Sequence, residues 1–406
     1  MDVGSGHVDL SKMKCDKDYD MGFKTMTGEP SLFRKKFRLN GRTEEILLGC
    51  YVDDLLIATS SMEAREWFLK RLAHRFPVNP NSTGIIDKEH PGLLLSMDIF
   101  YDREAGVLRL DQRQAIEALA RKHEIDNPRK ICRLPTNDDQ ELPKLEEAEV
   151  QQTEYLSIIG SCLHIAQVSR PDINYAIGVL SRHSAKPGHI HMAAALDLVK
   201  YLYGSREYQE RQSKRGNEPI VYEKGERVPE RTLEERLKPS TPDEDAPGNP
   251  LLFVDADYAG CKVTRRSTSG MVIMMNGGPI SWSSRLQKIT AQSSAESEIY
   301  AVCEAVKEAI HIKLLCEETG IRELNKPMAV YEDNSACIAL GHSLKSSKSA
   351  KHYQVRLHFL REHVQAGTIE FEKIDTKEQL ADGFTKALPR EPLEYFRNRT
   401  LARPSD

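Results

Sequence analysis

The chain has 406 residues, with 57 Lys and Arg against 61 Asp and Glu, a formal charge of −4. At roughly 100–200 residues per domain, that length suggests about two to four domains. Hydrophobic residues make up 39%, which is polar for a globular protein but too apolar for wholesale disorder. No apolar run approaches the roughly 18–20 residues of a membrane span, which excludes a helical transmembrane protein. Met1-Asp2-Val3-Gly4 has no basic or apolar leader character, so no secretory signal is expected. The strongly basic balance that marks many nucleic-acid binders is absent.

Residues 46–58 are two apolar runs split by Asp53-Asp54, a pattern that predicts strand, tight turn, strand. Met62, Trp67, Phe68 and Leu72 recur at helical spacing over 62–75. A short strand is expected at Val107–Leu110 and a helix over 113–124. Residues 153–204 carry helical periodicity, broken at Arg170-Pro171-Asp172. Six of the chain's 20 prolines then fall within 212–250 among charged residues, as in a linker or solvated insertion. Beyond it, Leu251–Val254 reads as a strand. Met271–Met275, Asn276-Gly277-Gly278 and Pro279–Trp282 read as a hairpin. Ser293-Ser294-Ala295-Glu296 has the Ser-x-x-Glu form of a capping box, opening a long helix to about 318. A strand at Met328–Tyr331, a short helix from Ser335, a helix over 353–365, a strand over 368–374 and a helix over 378–388 follow.

The eight cysteines include no C-x-x-C, so a zinc finger fails on spacing, and a disulfide framework is not expected. No H-E-x-x-H pair occurs either, which disfavours a zinc hydrolase.

Adjacent carboxylates at a turn repel each other and raise each other's pKa, and a bound Mg²⁺ relieves that. An ordinary polar turn is the plain alternative. Tyr51-Val52-Asp53-Asp54-Leu55-Leu56-Ile57 resembles the polymerase hairpin of copia-type retrotransposon reverse transcriptases. Gly22-Phe23 with Glu29–Phe33, Tyr155–Ala166, Arg170–Ala176 and Leu180-Ser181-Arg182 are similar to flanking segments in the same family order. The resemblance implies that Asp53 and Asp54 are metal ligands of a palm. Two-metal phosphoryl transfer needs a further carboxylate from a separate strand, and in the family an Ala-Phe-Leu segment follows it. Asp2 is followed by Val3-Gly4-Ser5 instead and is not assigned. The expectation is a truncated palm that does not extend a primer unaided.

A second acid set lies at predicted element ends: Asp255, Glu298, Asp333 and Asp382. Any one alone reads as a cap or a solvated acid. Together, on a βββαβαβα pattern, they resemble the ribonuclease H domain that follows reverse transcriptase in the same family. That resemblance implies two Mg²⁺ ions (Mn²⁺ as a substitute) and hydrolysis of the RNA strand of RNA–DNA hybrids. At about 100° per residue, Glu296 and Glu298 both flank the apolar stripe of the long helix, so geometry leaves both open. The family's acid-plus-aliphatic pattern favours Glu298. Asp257 rivals Asp255 and is placed beyond the strand end. Arg265 and Arg266 among hydroxyls, and Lys348, Lys351 and His352 among serines, are candidate phosphate contacts. The His that many ribonucleases H carry before the last aspartate is absent from 374–379, and His363 is not assigned that role.

The expected fold class is α/β in the α+β sense. It comprises a partial palm (1–130), a helical thumb or connection (131–204), a linker or insertion (205–250), a ribonuclease H-like domain with a mixed sheet (251–390) and a tail (391–406). Expected partners are RNA–DNA hybrids and the rest of a retrotransposon polyprotein, with no membrane, in an intracellular setting (cytoplasm or nucleus). The competing expectation is a non-catalytic nucleic-acid-binding or assembly remnant.

Overall fold

The computed structural model describes residues 21–401 apart from 53, 75, 77, 79–82, 126–131, 133, 137–141, 209, 214–248, 321–325 and 344–352. Most of the proline-rich stretch therefore lies outside the described residues. The class is α+β: three sheets and nine α-helices among the described residues. The chain packs as two compact units, residues 1–86 with 310–324, and residues 87–309 with 325–406.

In the first unit, β1 (Lys24–Thr25), β2 (Leu32–Leu39), β3 (Arg42–Tyr51) and β4 (Asp54–Thr59) form an antiparallel meander in chain order. Asn40 and Gly41 close the β2–β3 hairpin with φ of 50° and 81°, the left-handed pair that a two-residue turn demands. Helix α1 (Met62–Ala73) starts at Ser61, whose hydroxyl accepts from the Ala64 N–H at 3.1 Å. It lays Ala64, Phe68 and Leu72 against Ile46 and Leu48.

In the second unit, β5 (Gly92–Leu94), β6 (Met97–Asp102), β7 (Val107–Asp111) and β8 (Glu210–Ser213) form another antiparallel sheet. Helices α2 (Arg113–Lys122), α3 (Gln152–Val168), α4 (Asn174–Ser181) and α5 (His189–Gly204) follow β7 in the chain. The five-stranded sheet has the order β11-β10-β9-β12-β13, from β9 (Leu251–Asp257), β10 (Thr268–Met275), β11 (Gly278–Leu286), β12 (Met328–Glu332) and β13 (Ile369–Lys373). Strands β9, β10 and β11 pair antiparallel, while β12 runs parallel to β9 and β13. Helix α6 (Ser294–Thr319) follows β11. Helices α7 (Ser335–His342) and α8 (Gln354–Gln365) connect β12 to β13, and α9 (Arg390–Thr400) closes the fold.

One hydrophobic core joins residues of α2–α5 to Phe253, Val272, Tyr331 and Phe384, so the helical segment and the five-stranded sheet share an interior. At Arg170-Pro171-Asp172 the helix break is buried. The Arg170 guanidinium donates to both Asp172 carboxylate oxygens (2.8 and 2.7 Å) and to the Ser205 carbonyl (3.1 Å). The Tyr201 hydroxyl donates to Asp172 at 2.6 Å. Every strong donor and acceptor of this interior ion pair is thus matched, the condition for tolerating buried charge.

Three expectations are corrected. The expected strand 251–254 continues to Asp257, because β10 pairs with it as far as Thr268↔Asp257. Asp255 is therefore within the strand, and Asp257 is its last residue rather than beyond its end. The helix expected over 378–388 is instead a one-turn 3-10 segment, Leu380–Phe384. A Cβ at Gly383 would stand 2.8 Å from the Phe396 ring, so this turn is pressed against α9. The expected tail is α9 itself, whose Leu393 and Phe396 enter the core.

Candidate metal centre

Asp255 on β9, Glu298 in the second turn of α6 and Asp333 just after β12 each offer an oxygen, and these oxygens lie within 4.8 Å of one another. The topology explains the meeting. Strands β9 and β12 are parallel neighbours, so both deliver the residues at their C-terminal ends to the same edge of the sheet. The start of α6 reaches that edge through its capping box. The Ser293 hydroxyl accepts from the Glu296 N–H at 3.2 Å, and the Glu296 carboxylate accepts from the Gln292 N–H at 2.7 Å. The structure therefore separates the two glutamates: Glu296 caps the helix and Glu298 faces the acids.

Asp382 reaches Asp255 from the 3-10 turn. The Gln379 side-chain amide pins that turn across two strands, donating to the carbonyls of Val254 (2.9 Å) and Tyr331 (3.3 Å). Thr385 donates its hydroxyl to Asp255, and the Lys386 ammonium stands 2.8 Å from Asp382. Gly270 on β10 makes room, because a Cβ there would lie 2.8 Å from the Ala381 carbonyl oxygen and 2.6 Å from the Thr385 methyl.

Burial first, and then neighbouring negative charge, pushes these carboxyls upward. The Asp255 pKa is raised, that of Glu298 is raised well above its usual value, and that of Asp382 is raised to about 7. Burial works against the Lys386 ammonium, but its contact with Asp382 and the charges of Asp255 and Asp333 outweigh that and raise its pKa. The Glu298 Oε2 and Asp382 Oδ1 atoms are buried without a hydrogen-bond partner among the described residues. Orphaned carboxylate oxygens facing a cluster of acids fit a hard divalent cation, and an all-oxygen donor set suits Mg²⁺ or Mn²⁺ rather than zinc.

Glu332, Thr385 and Lys386 were not singled out by sequence. Glu332 is fully buried beside Asp333, accepts from the Asn334 N–H at 2.9 Å and is likewise pushed well above the usual carboxylate range, by burial first. Its only sequence signal was adjacency to Asp333, and Lys386 stands four residues after Asp382.

No other sequence candidate belongs to this group among the described residues. Asp54 is exposed at the start of β4, paired with Tyr51 across a turn in which Val52 has φ of 52°. That conformation is strained for a β-branched residue. Among the described residues Asp54 joins no group of three metal-ligating side chains, and Asp53 lies outside them. Arg265 and Arg266 sit in a turn closed by Arg265 N–H to the Cys261 carbonyl (2.7 Å) and Cys261 N–H to the Arg266 carbonyl (3.1 Å). Lys348, Lys351 and His352 lie outside the described residues. No described helix is long and apolar enough to cross a membrane.

No family model matches the chain. It is 29% identical over 373 residues to the retrovirus-related Pol polyprotein from transposon TNT 1-94 of Nicotiana tabacum, covering 90% of this chain and 25% of that protein. It is 30% identical over 381 residues to that from transposon RE1 of Arabidopsis thaliana, covering 93% and 23%. The chain is a homologue of plant transposon Pol polyproteins. It spans about a quarter of the length of these Pol relatives. A 165-residue stretch, 41% of this chain, is also 30% identical to 95% of the secreted RxLR effector protein 161 of Plasmopara viticola.

Proposed function

We propose that the chain is a reverse transcriptase/ribonuclease H region of a retrotransposon Pol polyprotein, of the copia type, and that it hydrolyses the RNA strand of RNA–DNA hybrids. The observation that carries this is the convergence of Asp255, Glu298 and Asp333 within 4.8 Å, with Asp382 beside Asp255. Two divalent ions, when bound, supply an activated water and stabilise the leaving 3′-oxygen. The protein's own part is to hold the four carboxylates where they ligate. Gln379 and Gly270 let the Asp382 turn rest on the sheet, Thr385 fixes the rotamer of Asp255, and Lys386 offsets part of the burial that raises the Asp382 pKa. Arg265 and Arg266 serve as phosphate contacts that position the hybrid without reading its sequence.

Purified protein should cut the labelled RNA strand of a hybrid in Mg²⁺, and Asp333→Asn should reduce cutting to background. Asp98→Asn, at an acid on β6 outside the cluster, should leave it intact. Persistent cutting by Asp333→Asn would sink the assignment. Salt-sensitive binding without any cutting would favour a non-catalytic nucleic-acid-binding module. We extend the proposal to the polymerase: this chain alone does not extend a primer, since two-metal transfer needs a further carboxylate from a separate strand and the sequence offers none followed by Ala-Phe-Leu. Primer extension on an RNA template tests it.

A further inference from the structure

The four carboxylates reach the centre by two routes. Asp255 stands on β9 and Asp333 just beyond β12, and the sheet ladder fixes the backbone of both strands. Glu298 and Asp382 come from outside the sheet, on α6 and on the 3-10 turn. The charges of Glu332, Asp255 and Asp333 act against ionised Glu298, so its place among them has to be held. Gln379 fastens the Asp382 turn. A second buried glutamine, Gln287, stands beside the start of α6.

Gln287 follows β11 directly and is buried. Its backbone N–H donates to the Ser267 carbonyl at 2.8 Å, which anchors it to the start of β10. Its side-chain amide donates to the Ser269 hydroxyl (2.9 Å) and to the carbonyl of Ser297 (2.9 Å) in the first turn of α6. Both amide hydrogens are thus used. A carbonyl only accepts, so the Ser297 contact fixes which end of the amide is nitrogen. Ser297 immediately precedes Glu298. Ser269 pairs with Ala256 across the ladder, and a hydrogen bond from the Ala256 backbone favours the Glu298 carboxylate. The contacts close a ring from Glu298 through Ala256, Ser269, Gln287 and Ser297. Ser269 and Gly270 alternate along β10, so the ring lies on the α6 face while the Asp382 turn lies against Gly270 on the other. A cation in this place would bind the carboxylates and compete with a metal, whereas an amide holds the helix without adding charge.

We propose that Gln287 is a positioning residue of the metal centre: it sets the height of the first turn of α6 over β10 and thereby holds the Glu298 carboxylate where a divalent ion takes it. It acts through Glu298 and needs no contact with ion or substrate. The proposal rests on the metal-dependent reading of the site.

The test uses the full chain and Mn²⁺, whose binding is counted by the loss of free-ion signal in electron paramagnetic resonance with no nucleic acid present. Gln287→Met keeps the length of the side chain and removes both side-chain hydrogen bonds. It should bind Mn²⁺ about ten- to hundredfold more weakly, the usual effect of removing a partner behind a ligand. In Mg²⁺ its kcat for the hybrid should fall at unchanged KM, and raising Mg²⁺ should recover part of the loss. Gln287→Asn, whose amide is one methylene short of spanning Ser269 and Ser297, should weaken Mn²⁺ in the same direction, and it decides the question if the Met variant does not fold. Trp282→Phe deletes a different hydrogen bond of β11, from the indole N–H to the Ala166 carbonyl at 2.8 Å. It should lower Tm and leave Mn²⁺ affinity at the parent's value. Parent-like Mn²⁺ affinity in the folded Gln287 variants would overturn the proposal. An equal loss in Trp282→Phe, the mark of a general loosening, would overturn it as well. A parent that holds Mn²⁺ in a Gln287-dependent way yet never cuts hybrid keeps the clamp and loses the ribonuclease reading. A parent that cuts, with Mn²⁺ binding indifferent to Gln287, does the reverse.

Discussion

Gly270 and Ala381 are held so close that a Cβ on the glycine would lie 2.8 Å from the Ala381 carbonyl oxygen. The turn bearing Asp382 therefore rests directly on β10, and its height above the sheet is set by the absence of one methyl group. Gly270→Ala should push the turn away, destabilise the fold by roughly 1–3 kcal/mol as an overpacked site does, and lower kcat for hybrid cleavage more than it raises KM. Denaturant unfolding and steady-state cleavage on one preparation check both effects.

Removing metal should matter most at higher pH. The Asp382 carboxyl has its pKa raised to about 7 in the fold, against about 3.9 in an unfolded chain. The folded state thus holds a proton that the unfolded state releases, and this group's contribution to stability is lost as pH rises through about 7. Mg²⁺ competes with that proton. Saturating Mg²⁺ should therefore raise Tm more at about pH 8 than at about pH 6. In Asp382→Asn, scanning calorimetry should show a smaller difference between the two.

The buried Arg170–Asp172 pair makes a separate stability prediction. Asp172→Ala leaves the guanidinium of a fully buried Arg170 with only the Ser205 oxygens, and also removes the acceptor of Tyr201. Breaking one side of such a pair costs roughly 3–5 kcal/mol, seen as a lower denaturant midpoint at unchanged slope. Asp172→Asn should fall between.

His183 and His191 stack with ring centroids 4.0 Å apart. The Gly188 N–H donates to His191 Nδ1 at 2.9 Å, so that nitrogen is unprotonated. Burial first, then the neighbouring His191, lowers the His183 pKa to about 4. The unfolded chain binds this proton near 6.5, so the stability His183 contributes is full above about 6.5 and is lost as pH falls toward about 4. His183→Phe should flatten the acid limb of the Tm–pH curve in that window.

Local elements were legible where short-range chemistry fixes them. The Asn276-Gly277 turn, the Ser293–Glu296 cap and the Tyr51–Asp54 hairpin follow from neighbours within four residues. The helix expected at 378–388 failed for a long-range reason. The turn is hemmed in by Gly270, more than a hundred residues upstream, as well as by Phe396 on the next helix, and no local window around Asp382 contains the Gly270 contact.

Periodicity and motif spacing are one-dimensional, so the element order of residues 251–374, the two sets of carboxylates and the family resemblance were readable from the chain alone, while the strands Leu32–Leu39, Gly92–Leu94 and Met97–Asp102 were not. The sequence left Glu296 against Glu298 open, since both flank the same helix stripe. Only the tertiary structure decided that, by committing Glu296 to the cap and turning Glu298 toward Asp255 and Asp333. The charge of −4 gave no sign of a nucleic-acid partner. Composition sums charge over the chain, whereas folding sorts it, gathering acids at the ends of β9 and β12.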